Sequence, residues 1–167
     1  MTHRFTLGVE EEFQIIDPGT WGLRSHVSEL IASGAPSLGD QIKRELHQSI
    51  VEVGTRICGD VAELRHEMTR VRTELVTSAE RIGLAVAAAG THPFATWSDQ
   101  AISPGERYEQ LVEEMQLLAR SLLIFGLHVH VAMPDRQTTI DLMNAARWPL
   151  NGKNALIPMK PIIFPPS

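Results

Sequence analysis

Three consecutive glutamates stand inside a segment that otherwise has the pattern of a β-strand. Residues Phe5 to Ile16 alternate, so Glu10 and Glu12 share one face while Glu11 falls on the apolar face. Glu is a poor strand former, and like charges on neighbouring strand positions repel. Glu10 and Glu12 lie about 7 Å apart along such a strand, and two carboxylates at that spacing can hold a divalent cation such as Mg²⁺. The alternative is an edge strand whose acids discourage aggregation. Glu11 is the weaker candidate, with a partner expected on its own face.

Two further acids belong to the region of the next candidate strand, which extends from about residue 46 to residue 55. Glu52 stands between two valines, an awkward place for a carboxylate. Glu45 and Glu52 are seven residues apart, so a straight strand puts them on opposite faces. A shared site therefore requires Glu45 to precede the strand or a bulge to intervene. The simpler interpretation is that both acids lie on an exposed face.

Two histidines share one face of a later apolar strand. In the run Gly126 to Val131, His128 and His130 alternate with Leu127 and the two valines. Imidazoles in this arrangement can bind a transition metal or donate to a phosphate or carboxylate. The simpler interpretation is a pair of satisfied histidines on a half-buried sheet. Thr91 and His92 form a polar turn after another buried strand, which is a common place for a ligand contact.

The elements that must position these residues predict an α+β fold with an antiparallel or mixed sheet, open on one face. Asp60 and Glu63 form a capping-box pattern at the start of the clearest helix, and Gly83 is placed to end it. Ser103 and Pro104 are expected to start another helix. The expected strands lie near residues 5–16, 46–55, 84–89 and 123–132, and the expected helices near residues 61–82, 104–121 and 135–148.

Composition excludes several classes of protein. The chain has 167 residues, of which 43% are hydrophobic, as is usual for one globular domain. Its net charge of −5 argues against nucleic-acid binding, and its single cysteine, Cys58, excludes a disulfide within the chain or a cysteine-rich zinc site. The N-terminus lacks the pattern of a secretory signal, and the longest apolar run is too short to span a bilayer. A cytoplasmic protein with no membrane or nucleic-acid partner is expected.

Four motifs in a fixed order carry a resemblance to a known family. The segments FTLGVEEEF, ELHQSIVEVGT, AAGTHPFATW and LLARSLLIFGLHVHVAMPD begin at residues 5, 45, 88 and 117. Together they resemble the N-terminal half of the type 2 glutamate–cysteine ligases, and most closely the bacterial carboxylate–amine ligases of that family. The resemblance implies a glutamine synthetase-like antiparallel sheet, with helices packed on its outer face. It also implies ATP-dependent amide formation through an acyl phosphate, with Mg²⁺ holding the nucleotide.

The resemblance also assigns roles to individual residues. Its metal ligands would be Glu10, Glu12, Glu45, Glu52 and His128, and its catalytic residues would be Glu52 and His128. The expected nucleotide contacts are His130, Thr91 and His92. The expected partners are small amino-acid substrates together with ATP and Mg²⁺, and the sequence leaves a homo-oligomer open.

The resemblance stops near Leu150, and this predicts an incomplete sheet. Residues 1–150 are expected to form the N-terminal half of the catalytic domain. Residues 151–167 hold four of the ten prolines and no acidic residue, and are expected to form a disordered tail. The alternative places this segment across a bare sheet edge. A truncated chain leaves two functional hypotheses: an active ligase, or an inactive remnant that binds a nucleotide or a partner.

Overall fold

One antiparallel sheet organises the chain. The computed structural model describes residues 5–115, 123–150 and 162–163. Its six strands are β1 (Leu7–Ile16), β2 (Ile42–Arg44), β3 (Ile50–Gly54), β4 (Ala85–Ala88), β5 (Leu127–Val131) and β6 (Ile162–Ile163). Its α-helices are α1 (Val27–Leu38), α2 (Val61–Glu80), α3 (Glu106–Met115) and α4 (Arg136–Leu150), with short 3-10 helices at Gly39–Gln41 and Trp97–Asp99.

The long strand β1 lies at the centre of this sheet. It pairs with β3 through residues 10–14, with β4 through residues 14–16 and with β5 through residues 7–11. Strand β3 pairs with some of the same β1 residues as β4 and as β5. Because one edge of a strand can pair with only one neighbour at each residue, β4 and β5 must both lie along the opposite edge of β1. The central acid-bearing strand β1 therefore has the second acid-bearing strand, β3, along one edge and the histidine-bearing strand, β5, along the other.

Helices α1 and α2 cover one face of the sheet. The inward-facing Phe13 and Ile15 of β1 are fully buried, and they share a core with Leu30 of α1 and Leu75 of α2. Since side chains alternate along a strand, Glu10 and Glu12 project from the other face. Local sequence fixes the start of α2, because the Asp60 side chain accepts the Glu63 N–H at 2.9 Å. The helices thus stabilise the sheet while its acidic face stays open.

The α+β architecture predicted from the sequence is confirmed, and so are four of its strands and three of its helices. Helix α1 and strand β2 were not predicted, because α1 contains Pro36 and Gly34 and β2 is only three residues long. The predicted start at Ser103 is wrong, since α3 begins at Glu106. The Ser103 hydroxyl bonds the backbone of Glu45 instead. Residues 116–121 of the predicted helix lie outside the described residues.

Two residues of the proline-rich segment are described, and both contact the sheet. Ile162 and Ile163 pair antiparallel with Ala88 and Ala87 of β4. This pairing agrees with the alternative that the segment lies across a sheet edge. Residues 151–161 and 164–167 lie outside the described residues, so the expectation of a disordered tail stays a prediction.

None of the helices in the described ranges is long and apolar enough to cross a membrane.

Candidate metal and phosphate site

The register of the sheet brings the predicted acids and histidines to one face. Glu12 of β1 stands directly opposite Glu52 of β3, and Glu52 is opposite Lys43 of β2. On the other edge of β1, Glu10 is opposite His128. Residues paired across an antiparallel sheet have their side chains on the same face. The open face therefore carries every sequence-predicted acid that lies on a strand, Glu11 excepted.

Three carboxylates converge at the centre of this face. One oxygen from each of Glu12, Glu45 and Glu52 lies within 4.8 Å of the other two. Glu45 reaches the cluster because it precedes β3, in the connection that follows β2. Of the two arrangements that a shared site allowed, the structure has the one in which Glu45 lies before the strand. We call Glu12, Glu45 and Glu52 the acid triad.

The connection that carries Glu45 is fixed by hydrogen bonds from a distant segment. The Ser103 hydroxyl donates to the Glu45 carbonyl at 2.5 Å, and the Ser103 N–H donates to the Leu46 carbonyl at 2.8 Å. The Tyr108 hydroxyl donates to the Arg44 carbonyl at 2.8 Å. Glu45, which directly follows β2, is thus held by hydrogen bonds to the backbone of its own residue and of both its neighbours.

Burial and like charge act together on Glu52. Desolvation raises the pKa of the Glu52 carboxyl, and the nearby carboxylates of Glu10 and Glu45 raise it further. The Lys43 ammonium lies 3.6 Å from a Glu52 oxygen and 3.9 Å from a Glu10 oxygen, and it partly offsets this repulsion. The triad therefore has excess negative charge, which a bound cation would neutralise.

Glu10 has different partners from the acid triad. Its carboxylate accepts a hydrogen bond from His130 Nε2 at 2.9 Å and lies 4.0 Å from His128 Nδ1. A cleft of about 410 Å³ adjoins this group, lined by Glu10, Lys43 and His130 together with Arg56. Glu10 and His128 share the triad's face but do not complete its cluster, so their roles as metal ligands stay predictions.

Gly126 connects the histidine strand to the triad. Its N–H donates to Glu12 Oε2 at 2.7 Å. A Cβ atom at this position would lie 3.1 Å from His128 Nε2 and 3.6 Å from Glu12 Oε2. The glycine therefore allows both side chains to approach the backbone closely.

Glu11 has the partner expected on its own face. It is buried, and its two carboxylate oxygens accept hydrogen bonds from Arg72 of α2 at 2.8 and 2.9 Å. This bidentate pair ties the central strand to the helix layer. Glu11 thus has a structural role and takes no part in the acidic face.

Thr91 and His92 lie at another part of the open face. The Gln14 side-chain amide, next to Glu12 on that face, donates to the Thr91 carbonyl at 3.0 Å. His92 Nε2 donates to the Trp21 carbonyl at 2.9 Å, and His92 Nδ1 accepts the Ala95 N–H at 3.0 Å. Both ring nitrogens of His92 therefore bond backbone groups, and a nucleotide contact from this ring stays a prediction.

Sequence reasoning missed three residues of the site: Lys43, Ser103 and Tyr108. Lys43 belongs to a three-residue strand, which is too short to show an alternating pattern. Ser103 and Tyr108 contact Glu45 and its neighbour across some sixty residues of chain, and no local pattern reports such a contact. Of the three, only Ser103 has a clear sequence pattern, the serine before Pro104, and this pattern predicted a helix cap.

The donor set of the triad fits a hard divalent cation. Mg²⁺ prefers carboxylate oxygens and keeps several waters, so a small cluster of carboxylates on an open face suits it. Burial and the neighbouring carboxylates raise the pKa of the Glu52 carboxyl, and a bound cation would relieve the repulsion between these charges. A zinc site is not favoured, because among the described residues the cluster contains only carboxylates.

The antiparallel sheet with helices on one face has a counterpart of the same fold among the solved structures. A solved structure of that fold is the glutamate–cysteine ligase (gshA) of Francisella tularensis in complex with AMP, which aligns with a TM-score of 0.60 at 14% identity. The alignment covers 89% of this chain and 30% of that one. The family model of glutamate–cysteine ligase family 2 (GCS2) matches residues 6–155. The chain belongs to this family, which confirms the resemblance found in its motifs.

Several bacterial relatives share about half of the aligned residues. A protein of Herpetosiphon aurantiacus is 53% identical over 144 residues, and one of Roseiflexus sp. (strain RS-1) is 52% identical over the same length. Both bear the name "Putative glutamate--cysteine ligase 2". The alignments cover 86% of this chain but only 37% and 38% of the two relatives. The chain thus spans less than two fifths of the length of these relatives.

Proposed function

We propose that this chain carries the cation-binding part of an ATP-dependent carboxylate–amine ligase of the glutamate–cysteine type. The observation that carries the proposal is the acid triad, in which three carboxylates from separate segments lie within 4.8 Å of one another. Family membership supports the ligase class. The AMP bound to the related Francisella tularensis enzyme supports a nucleotide as one substrate.

The proposed reaction joins a carboxylate to an amine through an acyl phosphate. A bound Mg²⁺ would neutralise charge on the transferring phosphoryl group. The triad of Glu12, Glu45 and Glu52 would hold that cation, and the Gly126 N–H would keep the Glu12 carboxylate in place. Fixed groups of this kind assist phosphoryl transfer because they need no reorganisation during the reaction.

The histidines have a separate proposed role beside the triad. His128 and His130 are exposed on the open face, and Glu10 accepts a hydrogen bond from the His130 ring. Glu10 can therefore orient this imidazole toward phosphate oxygens or a substrate carboxylate in the adjoining cleft. His128 Nε2 lies beside Gly126 and Glu12, which puts it within reach of the same groups. Thr91 remains a proposed nucleotide contact.

Titration of the chain with Mg²⁺–ATP tests the proposal directly. Wild-type protein should bind Mg²⁺–ATP in isothermal titration calorimetry, and Glu52→Gln should weaken binding at least tenfold. The matched control is Glu29→Gln, which removes the same charge from an exposed position on α1. Equal binding by the wild type and by Glu52→Gln would contradict the proposal.

The second candidate function is a catalytically inactive chain that binds a nucleotide or a partner. The observation that favours it is coverage, since the chain aligns with only 37% of the Herpetosiphon aurantiacus relative. An ADP-release assay with glutamate and cysteine separates the two candidates. Turnover that Glu52→Gln abolishes would favour the ligase. Folded protein that binds Mg²⁺–ATP without turnover would favour the second candidate. A cytoplasmic location, and a homo-oligomeric assembly, remain proposals that this assay does not address.

A further inference from the structure

A second, larger pocket lies on the open sheet face, apart from the acid triad. It has a volume of about 730 Å³, which is within the range of small-molecule sites. Its floor is the sheet itself, and two loops form its walls. The lining residues that matter here are Gln14, Ala87, Ala89, Trp21, His92 and Phe94.

One imidazole fixes both walls of this pocket. His92 Nε2 donates to the Trp21 carbonyl at 2.9 Å, and His92 Nδ1 accepts the Ala95 N–H at 3.0 Å. The Phe94 and His92 rings pack nearly perpendicular to each other, with their centroids 4.5 Å apart. The two loops are therefore cross-linked through a histidine whose two ring nitrogens both bond backbone groups. His92 is a positioning residue in this arrangement.

Trp21 is held in an unusual conformation with much of its surface exposed. Its φ of 61° is in the left-handed region, which a non-glycine residue rarely adopts. A hydrogen bond from the Trp21 N–H to the Asp17 carbonyl at 2.8 Å holds the loop in this conformation. Phe94 on the opposite wall is also exposed. Two large aromatic side chains thus line the pocket without being buried in the core.

The chemistry of the lining selects an uncharged, flat ligand. No Asp, Glu, Lys or Arg is among the described residues that line the pocket, and both His92 nitrogens are already bonded. The floor carries the small side chains of Ala87 and Ala89, which leave a shallow surface between the aromatic walls. An aromatic ring gains from stacking or edge contacts with such walls, whereas a charged group would lose its hydration without a counter-ion.

The pocket also lies close enough to the acid triad for one molecule to contact both. Gln14 lines it and is two residues from Glu12 on the same face of β1, which corresponds to about 7 Å. A molecule that reacts at the triad can therefore extend past Gln14 and put its far end into the pocket.

We propose that this pocket binds an uncharged aromatic ring of a substrate that reacts at the triad. The ring can come from the base of the nucleotide or from an aromatic group on the amine substrate, and the chemistry of recognition is the same. The assignment to a substrate rests on the proposed function. Binding of the ring itself does not, because it can be measured without turnover.

Binding of two probes to the folded chain tests the proposal and separates the sources. Adenosine represents the base, and 2-phenylethylamine represents the amine, with each dissociation constant measured by ligand-observed NMR titration. Trp21→Ala and Phe94→Ala should each weaken the bound probe about 3–10-fold, the range expected for losing one aromatic contact. The control is Trp97→Ala, since Trp97 is exposed but does not line the pocket. Phe94→Ala covers the case in which Trp21→Ala fails to fold.

The probe that binds identifies the source of the ring. Binding of adenosine alone assigns the pocket to the nucleotide, and binding of 2-phenylethylamine alone assigns it to the amine. The proposal is overturned if neither probe binds, or if Trp97→Ala weakens binding as much as Phe94→Ala does. Mg²⁺ binding by Phe94→Ala should stay at the wild-type level, so failure of the pocket and failure of the triad are distinguishable.

Discussion

Substitution of Glu52 should have opposite effects on stability with and without Mg²⁺. Glu52 lies within 4.8 Å of two other carboxylates, and at an effective dielectric constant of about 20 each such pair repels by at least about 3.5 kcal/mol. Lys43, at 3.6 Å, offsets part of this repulsion, but its side chain is 53% exposed, so solvent screens the attraction. Glu52→Gln should therefore stabilise the cation-free protein by about 1–2 kcal/mol. The raised pKa of the Glu52 carboxyl agrees with this prediction, because it means that the folded protein disfavours the charged form of this side chain.

Thermal unfolding in chelator and in Mg²⁺ measures both effects. In chelator, Glu52→Gln should raise Tm by roughly 2–8 °C, because 1 kcal/mol corresponds to about 2–4 °C for a domain of this size. In Mg²⁺ at about one hundred times its dissociation constant, the wild type should gain about 2.7 kcal/mol and become the more stable protein. Glu29→Gln should gain as much from Mg²⁺ as the wild type. The reasoning is refuted if Glu52→Gln is less stable than the wild type in chelator, or if Mg²⁺ stabilises Glu52→Gln as much as it stabilises the wild type.

The other predictions concern groups that support the site. Arg72→Met should lower the free energy of unfolding by about 3 kcal/mol in urea titrations, since it leaves the buried Glu11 carboxylate unpaired; a loss below about 1 kcal/mol would contradict this. Ser103→Ala should cost about 1 kcal/mol and weaken Mg²⁺ binding several-fold through Glu45, and unchanged affinity would be evidence against that support. Arginine hydrogen bonds hold the pKa of the Glu67 carboxyl far below its ordinary value. The contribution of this carboxylate to the free energy of unfolding is therefore complete above about pH 4.5 and is lost as the pH falls. Glu67→Gln should therefore flatten the acid limb of the stability profile.

Local patterns sufficed to predict the elements that carry most of the acidic face. Alternation along residues 5–16 gave β1 and the faces of Glu10, Glu11 and Glu12, because a strand has a strict period of two. The capping pair of Asp60 and Glu63 gave the start of α2, since the hydrogen bond between them lies within one turn. These features depend only on neighbours in sequence.

The convergence of the acid triad could not be predicted from the residues alone. Glu45 joins Glu52 because a short hairpin turns the chain between them, and β2 is too short to signal its presence. Helix α1 was missed for a related reason, as Pro36 and Gly34 mask a helix that packing against the core stabilises. Ser103 illustrates an ambiguous signal, because a serine before a proline suits a helix cap and also a loop that bonds a distant backbone.

The location of a bound cation tests the central claim most directly. Crystals of the wild-type chain soaked in Mn²⁺, which replaces Mg²⁺ and has a measurable anomalous signal, would show its position without assuming any activity. The account predicts one anomalous peak among Glu12, Glu45 and Glu52, at about 2.0–2.3 Å from their oxygens, and no such peak in Glu52→Gln. A peak at another site with the triad empty, or a peak at the triad that Glu52→Gln leaves unchanged, would contradict it.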